Sequence, residues 1–568
     1  MKIMQVIRPN RQAAGLNMQI FGWSIRFGVL LFVPLFFCFF SLCGKPVQPV
    51  KNLIVMIPDG TSIGVVSAAR WYQLYNRHIE HLNLDPWLCG TVSTFCAAAP
   101  IGDSAPTTSC YMTGVPSQAG FVSTYPPVTG KEIIPLDSSM AYQPLATVLE
   151  AARILQNKAT GLVVTCEFCH ATPADCASHY YQRGNYKYIA PQMAYNDLDV
   201  MFGGGNNFIT QDMKDYFKVN GTTLIQNDIR QFNGYSGSGK VWALFEKKEH
   251  PYDIDRDSSA IPSLEAMTRK ALMQLSKNPN GFFLMVEGST VDHAAHANDP
   301  VGCITEFLAF DKAVGAAIAF AIENGETAVV ILPDHGNSGF TIGRSGCGKS
   351  SSTLEDLFGT VSQYKRTYKG IAEILKTTPA DQITSVFKQY TGIDLSEQER
   401  KSLLLSKDYT QPSDYTLASE AKDMKAHVMT ILNAKTCFGF TSGSHTGEEV
   451  FLAAYHPAGD VPLGFTTNVE INRYLCQALG FTTTLPELTA KIFAKHTDVL
   501  NGYSYSLDTK GEFPVLTVKK GKNTLVLRAF SSIAYLNKKP VSLGSVTVYV
   551  DRTDTFYLPS DILRRFQM

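Results

Sequence analysis

The sequence lacks any excess of charge. Its 50 lysine and arginine residues balance 50 aspartate and glutamate residues, and the formal net charge is zero. A protein that binds nucleic acid usually carries a basic surface, so this balance argues against a nucleic-acid partner. A local basic group can still bind a single phosphate. The 568 residues are enough for a large core with accessory parts.

The N-terminal part lacks an apolar run long enough to cross a membrane. The run at 29–40 is shorter than the roughly 20 residues that a span needs, and Pro34 interrupts it. Arg26 precedes this run and Cys43 follows it closely, which is typical of a signal peptide over residues 1–43. We therefore expect an exported protein, either periplasmic or an outer-membrane lipoprotein. Membrane attachment through a lipidated Cys43 and plain secretion both stay open.

Cysteine is not scarce, since the chain has 12. In an exported protein such residues are able to pair, but the sequence assigns no connectivity. Cys166, Cys169 and Cys176 are spaced like a soft-metal cluster. Because the first two lie at the end of an apolar run, buried thiols or a local disulfide are the preferred interpretation.

Five short apolar runs have the composition of buried parallel strands and lie next to carboxylate or imidazole side chains. Such an arrangement is typical of an α/β sheet that carries a metal-dependent active site at one edge. The runs and their neighbours are Asn52 to Pro58 before Asp59, Gly161 to Cys166 before His170 and Thr172, Phe282 to Val286 before Glu287, Thr327 to Pro333 before Asp334 and His335, and Val450 to Tyr455 after His445.

Asp292 and His296 are four residues apart, which places both side chains on one face of a helix. One divalent ion is able to bind both. The alternative is a capping aspartate and a surface histidine. With His445 as a third ligand from a distant loop, the set matches a catalytic zinc site that keeps an open position.

Asp334 and His335 form a second ligand pair where an apolar run ends. Neighbouring residues both turn toward one metal only in a loop, and Gly336 is expected to supply the backbone freedom. The dipeptide alone is weak evidence. Asp59, which is followed by Gly60, is placed to complete the same site.

Ser104 is predicted to begin a helix, because Pro106 belongs in a first helical turn and Gly114 is a typical helix stop. The free N–H groups at such a terminus favour an anion. The alternative is that Asp103 or Ser104 serves only as the helix N-cap.

These residues together resemble the motifs of the alkaline phosphatase family, in the family's order along the chain. The matching segments are Asp59-Gly60, Asp103-Ser104-Ala105, Ala171-Thr172-Pro173, Arg183, Val286-Glu287-Gly288, Asp292 with His296, Asp334-His335 and His445-Thr446-Gly447. The resemblance implies a three-layer α/β/α sandwich around a large, mostly parallel sheet. It also implies hydrolysis of small-molecule phosphate monoesters through a phosphoserine intermediate on Ser104, and it admits a homodimer.

The resemblance implies two zinc ions and one magnesium ion, with zinc ions about 4 Å apart to stabilise the attacking and leaving oxygens. Arg183 would bind the phosphate together with Ser104. The implied ligands are Asp292, His296 and His445 for the first zinc, Asp59, Asp334, His335 and Ser104 for the second, and Asp59, Thr172 and Glu287 for magnesium.

Two positions depart from the bacterial prototype of the family and match its animal members. His170 stands where the prototype has aspartate, and His293 stands where it has lysine. His170 adjoins the third metal site and His293 adjoins the substrate. Because magnesium prefers oxygen ligands, His170 leaves the identity of the third ion open.

Competing functions remain for comparison. A phosphodiesterase or sulfatase of the same superfamily is one, although the segment after Ser104 lacks the arginine of a sulfatase motif. A non-catalytic envelope binding protein is the other, but no ligand position is lost. The segment 343–350 fits a nucleotide-binding loop, and we reject it because the preceding apolar run ends at Pro333 and residues 334–342 intervene.

The domain organisation follows from the spacing of the motifs. Residues between the Asp-His pair and His445 show helical periodicity and predict an inserted lid or crown. Alternating residues near the C-terminus predict a small β appendage. The predicted domains are 1–43 signal peptide, 44–345 first part of the core, 346–430 helical insertion, 431–482 last part of the core and 483–568 β-rich extension.

Overall fold

The computed structural model describes residues 46–407 and 423–567. The predicted signal peptide and Cys43 lie outside the described residues. Within the described part of the chain, no helix is both long and apolar enough to span a membrane. The compact unit that begins at Val47 contains all the elements below.

The strands are mostly short. In chain order they are β1 Asn52–Pro58, β2 Leu88–Ser93, β3 Ala159–Glu167, β4 Val200–Gly204, β5 Thr223–Gln226, β6 Val241–Leu244, β7 Phe282–Gly288, β8 Thr327–Ile331, β9 Gly336–Asn337, β10 Thr341–Ile342, β11 Phe438–Gly439, β12 His445–Thr446, β13 Val450–Tyr455, β14 Gly464–Thr467, β15 Ala494–Lys495, β16 Ser504–Asp508, β17 Val515–Lys520, β18 Asn523–Arg528, β19 Ile533–Leu536, β20 Lys539–Ser542, β21 Val548–Val550 and β22 Thr555–Leu558.

The helices include several of only one or two turns. In chain order they are α1 Ile63–Arg77, α2 Ser104–Thr113, α3 Val148–Gln156, α4 Ala171–Ala177, α5 Tyr186–Tyr195, α6 Gln211–Val219, α7 Ile229–Gly234, α8 Leu264–Leu275, α9 Thr290–His296, α10 Pro300–Asn324, α11 Leu354–Ser362, α12 Tyr368–Thr377, α13 Ile383–Thr391, α14 Glu397–Lys407, α15 Met424–Ala434, α16 Asn468–Ala478, α17 Leu485–Ile492, α18 His496–Val499 and α19 Ile562–Arg565.

Ten strands form the central sheet, in the order β14-β2-β13-β8-β1-β7-β3-β4-β6-β5. The alternation within β1 shows how the sheet is covered. Leu53, Val55 and Ile57 belong to one apolar cluster, whereas Ile54 and Met56 belong to the other. Successive side chains of a strand point to opposite faces, so a strand between two helical layers is apolar throughout. The predicted three-layer α/β fold is confirmed.

The direction of one strand contradicts the prediction. The run Val450 to Tyr455 has the composition of a parallel strand, but β13 is antiparallel to β8 and to β2. Composition reports burial on both faces and not direction, which is why the sequence misleads here. The reversal places His445, which precedes β13, at the edge where the parallel strands end.

The segment predicted as a helical insertion, 346–430, contains α11 to α14 and most of α15, which ends at Ala434. Its apolar side chains join the cluster that also includes residues of α1 and α10. The backbone N–H of Tyr368 donates to Asp299 Oδ2 at 2.7 Å and ties α12 to the N-cap of α10. A disulfide joins Cys347 and Cys437 across the base of the insertion. A role as a lid stays a prediction.

The C-terminal extension contains the predicted strands. The five strands β16 to β20 form an antiparallel sheet, and β15, β22 and β21 form a smaller one. Asn537 and Lys538 take positive φ values of 50° and 70° in the turn between β19 and β20, as hairpin turns require. Arg528 of β18 forms an ion pair at 2.7 Å with Asp212 of α6, so it connects the extension to the core domain.

Candidate metal centre and active site

The predicted site residues meet at the carboxyl edge of the central sheet. Asp59 directly follows β1, Asp334 follows β8, and Glu287 is the penultimate residue of β7. Because adjacent parallel strands end at the same edge, residues distant in sequence become neighbours there. Three groups of donor side chains lie at this edge, each with ligand atoms within 4.8 Å of one another.

Ser104 lies at the start of α2, as the sequence predicts. The N-cap is Asp103, whose side chain accepts a hydrogen bond from the Ala105 N–H at 2.8 Å, so Ser104 is not needed for capping. Ser104 is 2% exposed. Its Oγ lies 3.4 Å from Asp59 Oδ1 and 3.3 Å from His335 Nε2. The hydroxyl therefore faces the donor groups.

The first group consists of Asp59, Asp334 and His335. His335 Nε2 lies 3.4 Å from Asp59 Oδ1 and 3.5 Å from Asp334 Oδ2. His335 Nδ1 lies 3.1 Å from the Gly336 carbonyl oxygen, which is only an acceptor. That contact places the ring proton on Nδ1 of the neutral ring and leaves the Nε2 lone pair directed at the carboxylates.

Gly336 has a different role from the one predicted. Its φ is not positive, so the turn toward Asp334 and His335 does not need glycine for conformational freedom. A Cβ on Gly336 would instead lie 2.5 Å from the Glu448 carboxylate. Gly60 is the glycine at this edge that needs its conformational freedom, since its φ is +58° and Asp292 Oδ1 lies only 2.2 Å from the position of a Cβ.

The second group consists of Asp292, His296 and His445. The spacing of four on α9 brings His296 Nε2 to 3.4 Å from Asp292 Oδ2. His296 Nε2 and His445 Nε2 are 3.1 Å apart. Their Nδ1 atoms lie against the carbonyl oxygens of Gly443 and Gly102, at 2.9 and 3.0 Å. Two imidazole lone pairs thus point at each other, an arrangement that a divalent cation stabilises.

The third group consists of Cys166, His170 and Glu287. His170 Nε2 lies 3.0 Å from an Arg183 guanidinium nitrogen, whereas its Nδ1 is buried without a hydrogen-bond partner. Glu287 Oε1 and Thr172 Oγ1 are likewise buried and unpartnered. Burial, followed by the charge of Arg183, lowers the pKa of His170 well below its usual value. The neutral imidazole is the form that binds metals.

The electrostatics of the carboxylates support cation binding. Burial, and next the charge of Asp334, raise the pKa of Asp59 well above its usual range. Burial raises the pKa of Glu287 to about 8. Burial alone would raise the pKa of Asp292 as well, but the positive charge that His335 and the neighbouring histidines carry when protonated lowers it to about 2. Clustered buried carboxylates oppose one another's ionisation, and divalent ions relieve that opposition.

Arg183 and His293 lie beside the donor groups. One guanidinium nitrogen of Arg183 donates to Asp103 Oδ1 at 3.1 Å. The His293 ring centroid lies 6.1 Å from that of His170. Their roles toward a substrate stay predictions.

A family model for alkaline phosphatase matches residues 50–481. The chain belongs to the alkaline phosphatase family. Alkaline phosphatase 3 of Bacillus subtilis is 32% identical over 447 residues, which cover 76% of this chain and 89% of that protein. These matches support phosphate monoester hydrolysis in general and a metal-binding site.

Solved structures of alkaline phosphatases share the fold. The cold-active enzyme of the psychrophile Shewanella sp. has a TM-score of 0.65 at 25% identity and covers 76% of this chain and all of its own. The enzyme of the Antarctic bacterium TAB5, as a histidine-to-aspartate variant with magnesium bound, has a TM-score of 0.52 at 23% identity, covering 77% of this chain and 99% of its own.

The alkaline phosphatase motifs do not include three residues that the structure places at the site. Asn337 donates from its amide to Asp292 Oδ1 at 2.6 Å, and Ser62 Oγ donates to the Asn337 carbonyl oxygen at 2.8 Å. Cys166 lies beside Glu287. Asn337 is two residues beyond His335, and that proximity is the only sequence feature that pointed to it.

Proposed function

We propose that this protein hydrolyses phosphate monoesters to an alcohol and inorganic phosphate through a phosphoserine on Ser104. The observation that carries the proposal is the convergence of the Ser104 hydroxyl, three imidazole lone pairs and four buried carboxylates at one edge of the sheet. Family membership supports the same reaction class.

The donor groups fit three divalent ions. We propose that zinc ions bind to Asp292, His296 and His445, and to Asp59, Asp334 and His335 with Ser104. A third ion would bind near Thr172 and Glu287, with His170 beside it. When bound, these ions supply positive charge that lowers the pKa of a nucleophile and stabilises negative charge on transferring oxygens.

Ser104 is positioned to attack phosphorus. Its Oγ faces the donor groups and lies at the N-terminus of α2, where free N–H groups favour an approaching anion. Attack forms the bond between Oγ and phosphorus and breaks the bond to the leaving alcohol oxygen. Water then cleaves the phosphoserine, which releases phosphate and restores the hydroxyl.

Arg183 is positioned to hold the phosphate. Its planar guanidinium has five N–H donors, and the contacts with Asp103 and His170 leave several free for two phosphate oxygens. Asp103 fixes the orientation of the group. We propose that His293 contributes a further contact to the substrate at the same rim.

Two further proposals rest on the sequence alone. We propose that the protein is exported to the periplasm or to the outer membrane, with lipidated Cys43 as the attachment in the second case. We also propose a homodimer, following the family resemblance.

The central experiment is turnover of a generic aryl phosphate by the purified chain, with and without a chelator, followed by metal analysis. Activity should disappear with the chelator and return with zinc. Aryl sulfate and a phosphate diester, assayed in parallel, distinguish the competing hydrolases. Hydrolysis of either at a rate equal to or above that of the monoester would contradict the proposal, and so would turnover that is indifferent to the chelator.

A further inference from the structure

The end of β3 places a thiol among the donor atoms of the third group. Cys166, His170 and Glu287 each offer a ligand atom, and these atoms lie within 4.8 Å of one another. Cys166 Sγ lies 3.5 Å from Glu287 Oε2. Both side chains are fully buried. The motifs that identify the family assign no role to Cys166.

The neighbouring cysteines do not share this position. The Sγ of Cys176 contacts the Thr172 carbonyl oxygen at 3.7 Å, which is the backbone contact of a cysteine within a helix. Cys169 lies beyond the end of β3, and no metal-donor group of the described residues contains it or Cys176. All three thiols are free. Cys176 is therefore a matched control: equally buried, nearby and outside the donor group.

Two other atoms at this site point independently to a bound cation. Glu287 Oε1 and Thr172 Oγ1 are buried and have no hydrogen-bond partner. Leaving such oxygens unsatisfied in a protein interior costs free energy, and a carboxylate costs more than a hydroxyl. A cation bound at Oε1 satisfies this oxygen, and the other oxygen of the same carboxylate, Oε2, lies 3.5 Å from the Cys166 thiol.

The sulfur selects the kind of cation. In a tetrahedral zinc site with Zn–S of about 2.3 Å and Zn–O of about 2.0 Å, sulfur and oxygen are about 3.5 Å apart. This equals the distance between Cys166 Sγ and Glu287 Oε2. Magnesium requires a near-octahedral shell of oxygens, and a thiol with an imidazole at the site reduces the oxygens that the protein supplies.

We propose that Cys166 is a ligand of the third metal site and that its sulfur makes this site select zinc over magnesium. The proposal rests on the proposed function only in assuming that a third ion binds at Glu287. Under this proposal, a zinc ion takes the place of the magnesium ion that the family resemblance implies.

Cobalt serves as the spectroscopic probe, because Co²⁺ occupies zinc sites and a cobalt–thiolate bond absorbs strongly in the near ultraviolet. The full chain is stripped of metal with a chelator, reloaded with Co²⁺, and compared with Cys166→Ser and Cys176→Ser. The parent and Cys176→Ser should show the sulfur-to-cobalt band, and Cys166→Ser should lose it.

Equilibrium dialysis supplies the second readout. The parent should bind a third zinc ion that excess magnesium does not displace. In Cys166→Ser, zinc should bind at that site at least about tenfold more weakly, and magnesium should take its place. Circular dichroism and thermal melting check that each variant is folded, and Cys166→Ala gives a second variant if the serine variant is not.

A parent protein without the band, or a band that persists in Cys166→Ser, would overturn the proposal. Turnover of aryl phosphate in the same preparations separates the two hypotheses. If the parent is active but lacks the band, the proposed function stands and Cys166 is not a metal ligand. If the parent is inactive but has a band that depends on Cys166, Cys166 is a metal ligand and the proposed function is wrong.

Discussion

At the scale of single residues, the substitution Ser104→Ala tests whether the Ser104 hydroxyl is the nucleophile. Ser104→Ala removes only the hydroxyl, so we expect loss of the covalent phosphoenzyme and of nearly all turnover. The fold and most metal binding should persist, because Asp103 and not Ser104 caps α2. Acid-quenched labelling with phosphate measures the intermediate. Activity within tenfold of the parent would contradict the assignment.

Arg183→Ala should slow turnover and weaken inhibition by phosphate. The lost charge-assisted hydrogen bonds are each worth about 1.5–3 kcal/mol. The guanidinium also contacts Asp103 and His170, so the variant frees the His170 lone pair as well. Because Asp103 still accepts hydrogen bonds from Ala105 and Gly120, the start of α2 should remain folded.

The measurement for Arg183 is the inhibition constant of phosphate, with Arg183→Lys as the matched control. Lysine keeps the charge but lacks the planar fork, so it should restore only part of the affinity. An inhibition constant unchanged in Arg183→Ala would place the phosphate elsewhere.

His170→Asp tests the third metal site at a second donor residue. An added carboxylate oxygen should make magnesium bind at this site more tightly than it does in the parent, because a hard cation prefers anionic oxygen to nitrogen. Calorimetric titration with magnesium measures the change. Equal affinity in parent and variant would separate His170 from that ion.

At the scale of elements, the disulfide at the base of the insertion should contribute to the stability of the fold. Cys347 and Cys437 are 90 residues apart, and a crosslink across a long loop stabilises a fold by typically about 2–4 kcal/mol. The double serine variant should therefore melt at a lower temperature. A reductant should lower the melting temperature of the parent and leave that of the variant unchanged.

The sequence predicts those elements whose pattern is local. The sequence identifies the apolar runs of β1, β3, β7 and β8 and the N-terminus of α2. Apolar composition and helix capping are both recognised from residues that are adjacent in the chain. The direction of β13 is not found, since it depends on which strands it pairs with. Asn337 escapes prediction for a similar reason, because its partner Asp292 is distant in sequence. The sequence marks Cys166 as part of a possible soft-metal cluster, but its contact with Glu287 exists only in the folded sheet.

At the scale of the whole molecule, one buried carboxyl group links stability to pH. Burial raises the pKa of Glu306 to about 8. Its oxygens accept hydrogen bonds from Thr290 and from the Asp253 N–H. The folded state thus holds a proton that the unfolded chain has already lost near pH 5. This contribution to stability is complete below the unfolded pKa and disappears as pH rises through about 8.

Glu306→Gln carries no such proton, so its melting temperature should fall less than that of the parent between pH 5 and pH 9. Thermal melts of both proteins across this range give the difference. The variant keeps an oxygen acceptor for the Asp253 N–H. A parallel pH dependence of the two proteins would show that Glu306 does not titrate with folding.

The reversed direction of β13 has a consequence for how the enzyme matures. His445 enters the site from the chain just before this strand, whereas Asp59 leaves β1 near the beginning of the core. The donor residues therefore come from almost the whole length of the core, from Asp59 to His445. Contacts so distant in sequence form slowly. The Asp292 group is therefore completed late. A chain shortened before His445 would lack that ligand and β13, but it would keep the residues of the other two donor groups.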